Sequence, residues 1–155
     1  MWIFLFPCAM RRFFISGEIM ILSLVHNTDT SVGLAYKVAR VVYAESGAKS
    51  LCGVEALTSM IKNLSDKTGI DIAQLVSDEN IFSSLSDKSI RHLRMKVCAN
   101  DNAFQMCLRT AKRMLRGGLE DCCYGATAFH HADIIPEWAR ARGYIADIDG
   151  MLFYL

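Results

Sequence analysis

The sequence predicts an α+β fold with about five helices and a small antiparallel sheet near the C-terminus. Two patterns support this prediction. Apolar residues recur at helical spacing through the first two thirds of the chain, and short extended runs around a tight turn follow in the last third. The length of 155 residues suits a single domain with its own hydrophobic core.

The first helix is predicted over residues 31–45 and ends at Gly47. One apolar stripe of this helix is formed by Leu34, Val38 and Val41. Glu45 occupies the next position of the same stripe, where the pattern calls for an apolar side chain. Burial there should raise the pKa of its carboxyl, as a general acid requires near neutral pH. Glu45 is therefore a candidate catalytic residue. A glutamate at the core edge, paired with a nearby cation, is the alternative.

Four further helices are predicted at residues 52–64, 72–76, 86–97 and 101–115. The helix over residues 86–97 should bury Ile90, Leu93 and Val97. The last helix has an apolar face that includes Phe104, and the pair Gly117-Gly118 stops it.

The C-terminal third predicts the sheet. Residues 125–130 are expected to form a strand or an extended loop, and a short helical turn holds Trp138. Two apolar runs, residues 144–148 and 151–155, flank Asp149-Gly150. An Asp-Gly pair between apolar runs is a strong hairpin signal, because the tight turn needs positive φ angles.

Charge and cysteine usage exclude several classes of protein. Seventeen Lys and Arg against sixteen Asp and Glu give a net charge of +1, so nucleic acid is not expected as a partner. The basic residues of the last helix are better explained as a solvated face: Arg109, Lys112, Arg113 and Arg116. The six cysteines fit no zinc finger or zinc ribbon, and we expect most of them to be reduced and structural.

The N-terminal segment, residues 1–30, is predicted to be signal-like or unstructured, and the domain is placed at residues 31–155. Its apolar stretches, residues 2–10 and 13–25, do not reach the roughly 18–20 apolar residues of a membrane span. Arg11 and Arg12 before an apolar run resemble the start of an export signal. Export would place the protein in the cell envelope or periplasm, and otherwise it stays in the cytoplasm. Membrane association through this segment and a start codon at Met10 or Met20 remain alternatives.

No cofactor and no metal site are predicted. His130 and His131 are adjacent, and adjacent strand residues point to opposite faces, so they rarely bind one ion together with Asp133. Cys122 or Cys123 with His130 could suggest a thiol peptidase, but no orienting residue is evident.

Five segments resemble one known family, the SleB-type cell wall hydrolases or spore-cortex-lytic enzymes. The first and most specific is Ala39-Arg-Val-Val-Tyr-Ala-Glu45, followed by Gly53, Ala56-Leu57 and Asn63. The others, in chain order, are Asn80-Ile-Phe-Ser83, residues 109–118, Asp121 with Gly125-Ala-Thr-Ala-Phe129, and Trp138 with the closing Phe153-Tyr154. The resemblance covers residues 33–155.

This resemblance implies a lysozyme-like fold that cleaves the glycan strand of peptidoglycan between N-acetylmuramic acid and N-acetylglucosamine. Glu45 would be the catalytic general acid and base, as in lytic transglycosylases, which leave a 1,6-anhydro end. Candidates for the substrate groove are Asn63, Ser83, Thr127 and Phe129. If the reaction is hydrolytic instead, candidates for a second acid are Glu55, Asp121 and Asp133.

Two other functions stay open. The chain departs from the family pattern at several positions, namely Gly47-Ala48, Lys49, Leu64, Asp149 and Met151. A module that binds glycan without turnover is therefore an alternative to the enzyme. A membrane-associated interaction protein, anchored by residues 1–25, is the other.

Overall fold

The computed structural model describes residues 32–155. Residues 34–155 form one compact unit. The predictions for residues 1–30, including the export signal and membrane association, concern a segment outside the described residues. Within residues 32–155, no helix is both long and apolar enough to cross a membrane.

The described part of the chain begins with two consecutive helices, of which the first carries Glu45. Helix α1 runs through residues 32–46 and ends at Gly47, whose φ of 63° is in the left-handed region. Helix α2, Leu51–Thr68, begins at Ser50, whose side chain accepts a hydrogen bond from the backbone N–H of Gly53. It extends four residues beyond the predicted end, since the polar turn after Leu64 stays helical until Gly69.

The segment between α3 and α4 differs from the prediction. Helix α3, Ile72–Leu75, is as expected, but the predicted helix over residues 86–97 is a 3₁₀ helix, Ile90–Lys96, and a shorter one precedes it at Ser83–Leu85. Ile90 and Leu93 are 81% and 71% exposed, so the prediction that they are buried was wrong. Three residues per turn place Ile90 and Leu93 together on the outer edge. Val97, the third residue predicted to be buried, is half-buried and packs against the core, as does Met95.

Helix α4, Asn102–Leu115, matches the fifth predicted helix closely. The Asp101 side chain accepts a hydrogen bond from the backbone N–H of Phe104 at 2.9 Å and caps the helix. Phe104 is fully buried. Gly117, at a φ of 73°, follows the end of the helix as expected.

A three-stranded antiparallel sheet closes the fold, in the order β1-β3-β2. Its strands are β1, Ala128–His131, β2, Ala146–Ile148, and β3, Met151–Tyr154. Asp149 and Gly150 link β2 to β3 with φ angles of 57° and 80°, as a two-residue type I′ turn requires. The α+β class, the sheet near the C-terminus and the hairpin are thus confirmed.

One core joins α1, α2 and α4 to the inner face of the sheet. Its largest fully buried side chains include Val38, Val42, Leu57, Ile61, Phe82, Phe104, Met114 and Phe153. The C-terminal end of α1 and the end of β1 meet at the border of this core, which brings together residues that are far apart in sequence.

Candidate active site

Glu45 lies in the last turn of α1, and its side chain has no exposed surface. Val38, Val41 and Val42 of the same helix are buried in the core, so the helix must also turn the carboxylate inward. Burial of a carboxylate is costly unless polar groups compensate for the lost water. Its surroundings therefore have to supply donors.

Three groups donate hydrogen bonds to the Glu45 carboxylate. The backbone N–H of Ser84 lies 2.7 Å from Oε1, and the Ser83 hydroxyl lies 3.3 and 3.2 Å from Oε1 and Oε2. His131 Nε2 lies 2.6 Å from Oε2. The carboxylate is thus satisfied on both oxygens by donors from a 3₁₀ helix and from β1.

The pKa of Glu45 differs from the expectation. Burial raises the pKa of this carboxyl and is the largest single influence. The hydrogen bond from His131, the backbone N–H of Ser84 and the charge of His131 together outweigh burial, however, and hold the pKa below its ordinary value. The expected raised pKa was therefore wrong for the resting structure. The helical pattern in the sequence predicted that Glu45 is buried. It could not predict the hydrogen-bond donors, because Ser84 and His131 belong to distant segments of the chain.

The two adjacent histidines point to opposite faces of β1, as strand geometry requires. His130 is buried, where its Nδ1 donates to the carbonyl oxygen of His131 and its Nε2 lies 2.8 Å from the Tyr154 hydroxyl. His131 faces Glu45 instead. The sequence reasoning missed His131 as a site residue. Strand alternation separates the two histidines, but it does not tell which of them meets the helix end.

Within the described residues 32–155, two cavities border Glu45, and His131 lines both of them. The first has a volume of about 160 Å³ and is lined largely by apolar and neutral groups, including Asn80, Ile81, Ser83, Phe129, Ile134 and Pro136. The second has a volume of about 410 Å³ and a more charged lining, including Lys49, Arg91, Arg94, Asp133 and Asp149. Glu45, Arg91 and His131 line both cavities.

Of the four residues predicted for the substrate groove, two lie at this site. Ser83 contacts Glu45, and Phe129 lines the first cavity while its ring packs 6.0 Å from the ring of Phe82. Asn63 lies elsewhere and donates to the Ala126 carbonyl oxygen and to Asp121, which ties α2 to a loop. Thr127 contacts Lys67 and lines neither cavity next to Glu45.

Among the three candidates for a second acid, only Asp133 lines a cavity next to Glu45. Its carboxylate accepts hydrogen bonds from Arg91 at 2.8 and 3.0 Å. Glu55 pairs with Arg113, and Asp121 accepts backbone hydrogen bonds from Cys123 and Gly125 in the loop before β1.

The metal and thiol interpretations find no support in the part of the chain that the structure describes. Residues 32–155 contain no group of three His, Cys, Asp or Glu side chains able to hold a metal ion. The Cys123 thiol contacts Asp121 and the Ala126 carbonyl oxygen. Burial, followed by the neighbouring carboxylate of Asp121, raises the pKa of Cys123, so it remains a thiol.

Residues 53–154 match the model of one protein family, described as Cell Wall Hydrolase. The chain belongs to this family. The match confirms the resemblance to the SleB-type family. As a cell wall hydrolase, the protein acts on peptidoglycan. It includes Ser83, Phe129 and His131 but begins after Glu45, so the role of Glu45 rests on the geometry of the site. No curated protein and no solved structure matches the chain.

Proposed function

We propose that this cell wall hydrolase cleaves the glycan strand between N-acetylmuramic acid and N-acetylglucosamine, with Glu45 as its general acid and base. The observation that supports this best is the position of Glu45. It is a buried, fully hydrogen-bonded carboxylate at the point where two cavities meet. The protonation state of a carboxylate in such a place can be changed by its neighbours, and the carboxylate lies next to any glycosidic bond that spans both cavities.

The reaction needs one carboxyl group. Protonated Glu45 donates its proton to the glycosidic oxygen, and the bond from that oxygen to C1 of the muramic acid breaks. The 6-hydroxyl of the same sugar then attacks C1, while the Glu45 carboxylate accepts the hydroxyl proton. The products are a free 4-hydroxyl on N-acetylglucosamine and a 1,6-anhydro muramic acid. The substrate supplies the nucleophile, so this route is an exception to the two-carboxylate scheme.

The surroundings of Glu45 suit this role. The backbone N–H of Ser84 fixes Oε1, so the carboxyl group keeps its orientation when Oε2 gains or loses a proton. The first cavity offers Phe129, Ile81 and Pro136 to the apolar face of a sugar ring, with Ser83 and Asn80 available to its hydroxyls. In a hydrolytic variant of the reaction, Asp133 would be the candidate to activate water.

A second function, glycan binding without turnover, is favoured by one observation. Glu45 has no exposed side-chain surface, and its lowered pKa keeps it ionised in the resting structure. An ionised carboxylate without access to the groove cannot protonate a glycosidic oxygen. Turnover therefore requires a change at the site, whereas binding does not.

The products released from peptidoglycan sacculi decide between these functions. Soluble muropeptides with anhydro ends, identified by mass spectrometry, would support the transglycosylase reaction. Muropeptides with reducing ends would instead indicate a hydrolytic reaction, in which Asp133 is the candidate to activate water. Retention of the protein on sacculi without any released product would support the binding module.

A further inference from the structure

His131 lines both of the cavities that border Glu45. Its side chain is 14% exposed, whereas the side chain of Glu45 beneath it is fully covered. His131 Nε2 occupies the hydrogen-bonding position of Oε2, the oxygen that the Ser84 N–H leaves available for chemistry. A glycosidic oxygen in either cavity would therefore meet the imidazole before it met the carboxylate.

We propose that His131 is a positioning residue that covers Glu45 in the resting protein, and that a bound glycan strand displaces it. The two cavities then join into one groove with Glu45 at its centre. This inference rests on the proposed function of Glu45 and adds the condition under which Glu45 becomes reachable.

The His131 side chain can leave Glu45 without any movement of the backbone, whereas the Ser84 N–H cannot. The Ser84 N–H belongs to the backbone of a fully buried residue, so it cannot withdraw alone. His131 is the last residue of β1, where the strand gives way to the turn at residues 132–133. The centroid of its ring lies 5.5 Å from that of the Phe129 ring, in an edge-to-face contact. Rotation about the side-chain bonds of His131 would move the ring away from Glu45 without moving the strand.

Arg91, a cation that also lines both cavities, forms an ion pair with a more exposed partner. Its side chain is 12% exposed, while that of its partner Asp133 is 59% exposed. An ion pair with a solvated partner is weak, so Arg91 can follow an incoming strand. The further charged groups around the Glu45–His131 pair are Lys49, Glu79, Arg94 and Asp149.

Displacement would also change the acidity of Glu45. The hydrogen bond from His131 is the largest of the influences that lower the pKa of the Glu45 carboxyl. Loss of that bond would therefore shift the pKa upward, in the direction that a general acid needs.

Chemical labelling of carboxyl groups tests the cover directly and requires no turnover. The full chain is treated with a water-soluble carbodiimide and an amine at one fixed pH, and labelled residues are quantified by mass spectrometry. We expect Glu45 to stay unlabelled in the wild type. In His131→Ala we expect it to be labelled at least about tenfold faster, approaching the exposed Glu137 as internal reference.

Two further variants test whether faster labelling of Glu45 results from the loss of the His131 side chain itself or from a general destabilisation of the site. His131→Gln keeps an amide donor of similar reach and should restore much of the protection. His92→Ala removes a different imidazole, one that contacts the Ser84 carbonyl oxygen, and should leave Glu45 protected. Equal labelling of Glu45 in the wild type and in a folded His131→Ala protein would overturn the proposal.

Kinetics on glycan strands supply the second readout. Without the imidazole to displace, His131→Ala should bind the strand more tightly, and kcat/KM should rise several-fold through a lower KM. A fall in kcat of about a hundredfold would overturn displacement and make His131 a catalytic partner instead. Absence of turnover in wild type and variant alike would count against the proposed function, while labelling still decides whether His131 covers Glu45.

Discussion

His131 Nε2 lies 2.6 Å from Oε2 of Glu45, across 86 positions of the chain. The contact joins the end of α1 to the end of β1, and it holds a buried carboxylate in its charged form. The stability of the fold and the proposed chemistry therefore both depend on the Glu45–His131 pair. Unfolding experiments test the first, and activity measurements test the second.

Glu45 should make the stability of the fold sensitive to acid. Its pKa is lower in the folded protein than the ordinary 4.5, so its stabilising contribution is fully present above that pH. The contribution is lost as the pH falls through the lower folded pKa, because the unfolded chain then binds the proton more readily. Urea unfolding at pH 7 and pH 3 should show a larger loss for wild type than for Glu45→Gln. Asp121 and Asp133 also have lowered pKa values, but both proteins contain them. Equal losses would contradict this assignment.

Gly53 should not tolerate a side chain, because the hairpin turn packs against the start of α2. A Cβ at Gly53 would lie 2.2 Å from Oδ2 of Asp149, which accepts a 2.6 Å hydrogen bond from the Ser50 hydroxyl. Gly53→Ala should break that bond and lower the free energy of unfolding by about 1–3 kcal/mol. A matched control is Gly143→Ala, since nothing lies within 4 Å of a Cβ there. The double variant Gly53→Ala/Asp149→Gly should recover part of the loss, and no recovery would contradict the explanation.

Phe82 should be a principal contributor to stability beside the site. It is fully buried, directly precedes Ser83 and packs against the ring of Phe129. Phe82→Ala should lower the free energy of unfolding by about 3–5 kcal/mol, measured by denaturant titration. Ile90→Ala is the control, because Ile90 is largely exposed and its truncation should change stability by less than about 0.5 kcal/mol. A large loss at Ile90 would contradict the 3₁₀ arrangement of its segment.

The helical pattern predicted most of the framework because local signals determine it. The apolar stripe of α1, the Asp101 cap of α4 and the Asp149-Gly150 turn are each set by residues within a few positions. The same signals failed over Ile90–Lys96. There the spacing of Ile90 and Leu93 fits an α-helical stripe and equally one edge of a 3₁₀ helix, and only contacts with the rest of the protein distinguish the two.

The sequence predicted the site residue that departs from a local pattern, Glu45. It did not predict His131, which reaches the site only because distant segments of the chain meet there. Glu45 was recognised because it interrupts an apolar stripe. The meeting of His131 with Glu45 depends on the side-chain register of β1 and on how the sheet lies against α1, which no local pattern specifies. The direction of the Glu45 pKa shift has the same origin, since its deciding donors come from other segments.

The most direct test of the central claim is the digestion of peptidoglycan sacculi by wild type and by Glu45→Gln, with Glu55→Gln as matched control. Glu55 also carries a carboxylate, but it pairs with Arg113 away from both cavities that border Glu45. We predict that wild type and Glu55→Gln release soluble muropeptides, and that release by Glu45→Gln is slower by about 10²–10⁴-fold. Undiminished release by a folded Glu45→Gln protein would contradict the assignment of Glu45 as the catalytic acid.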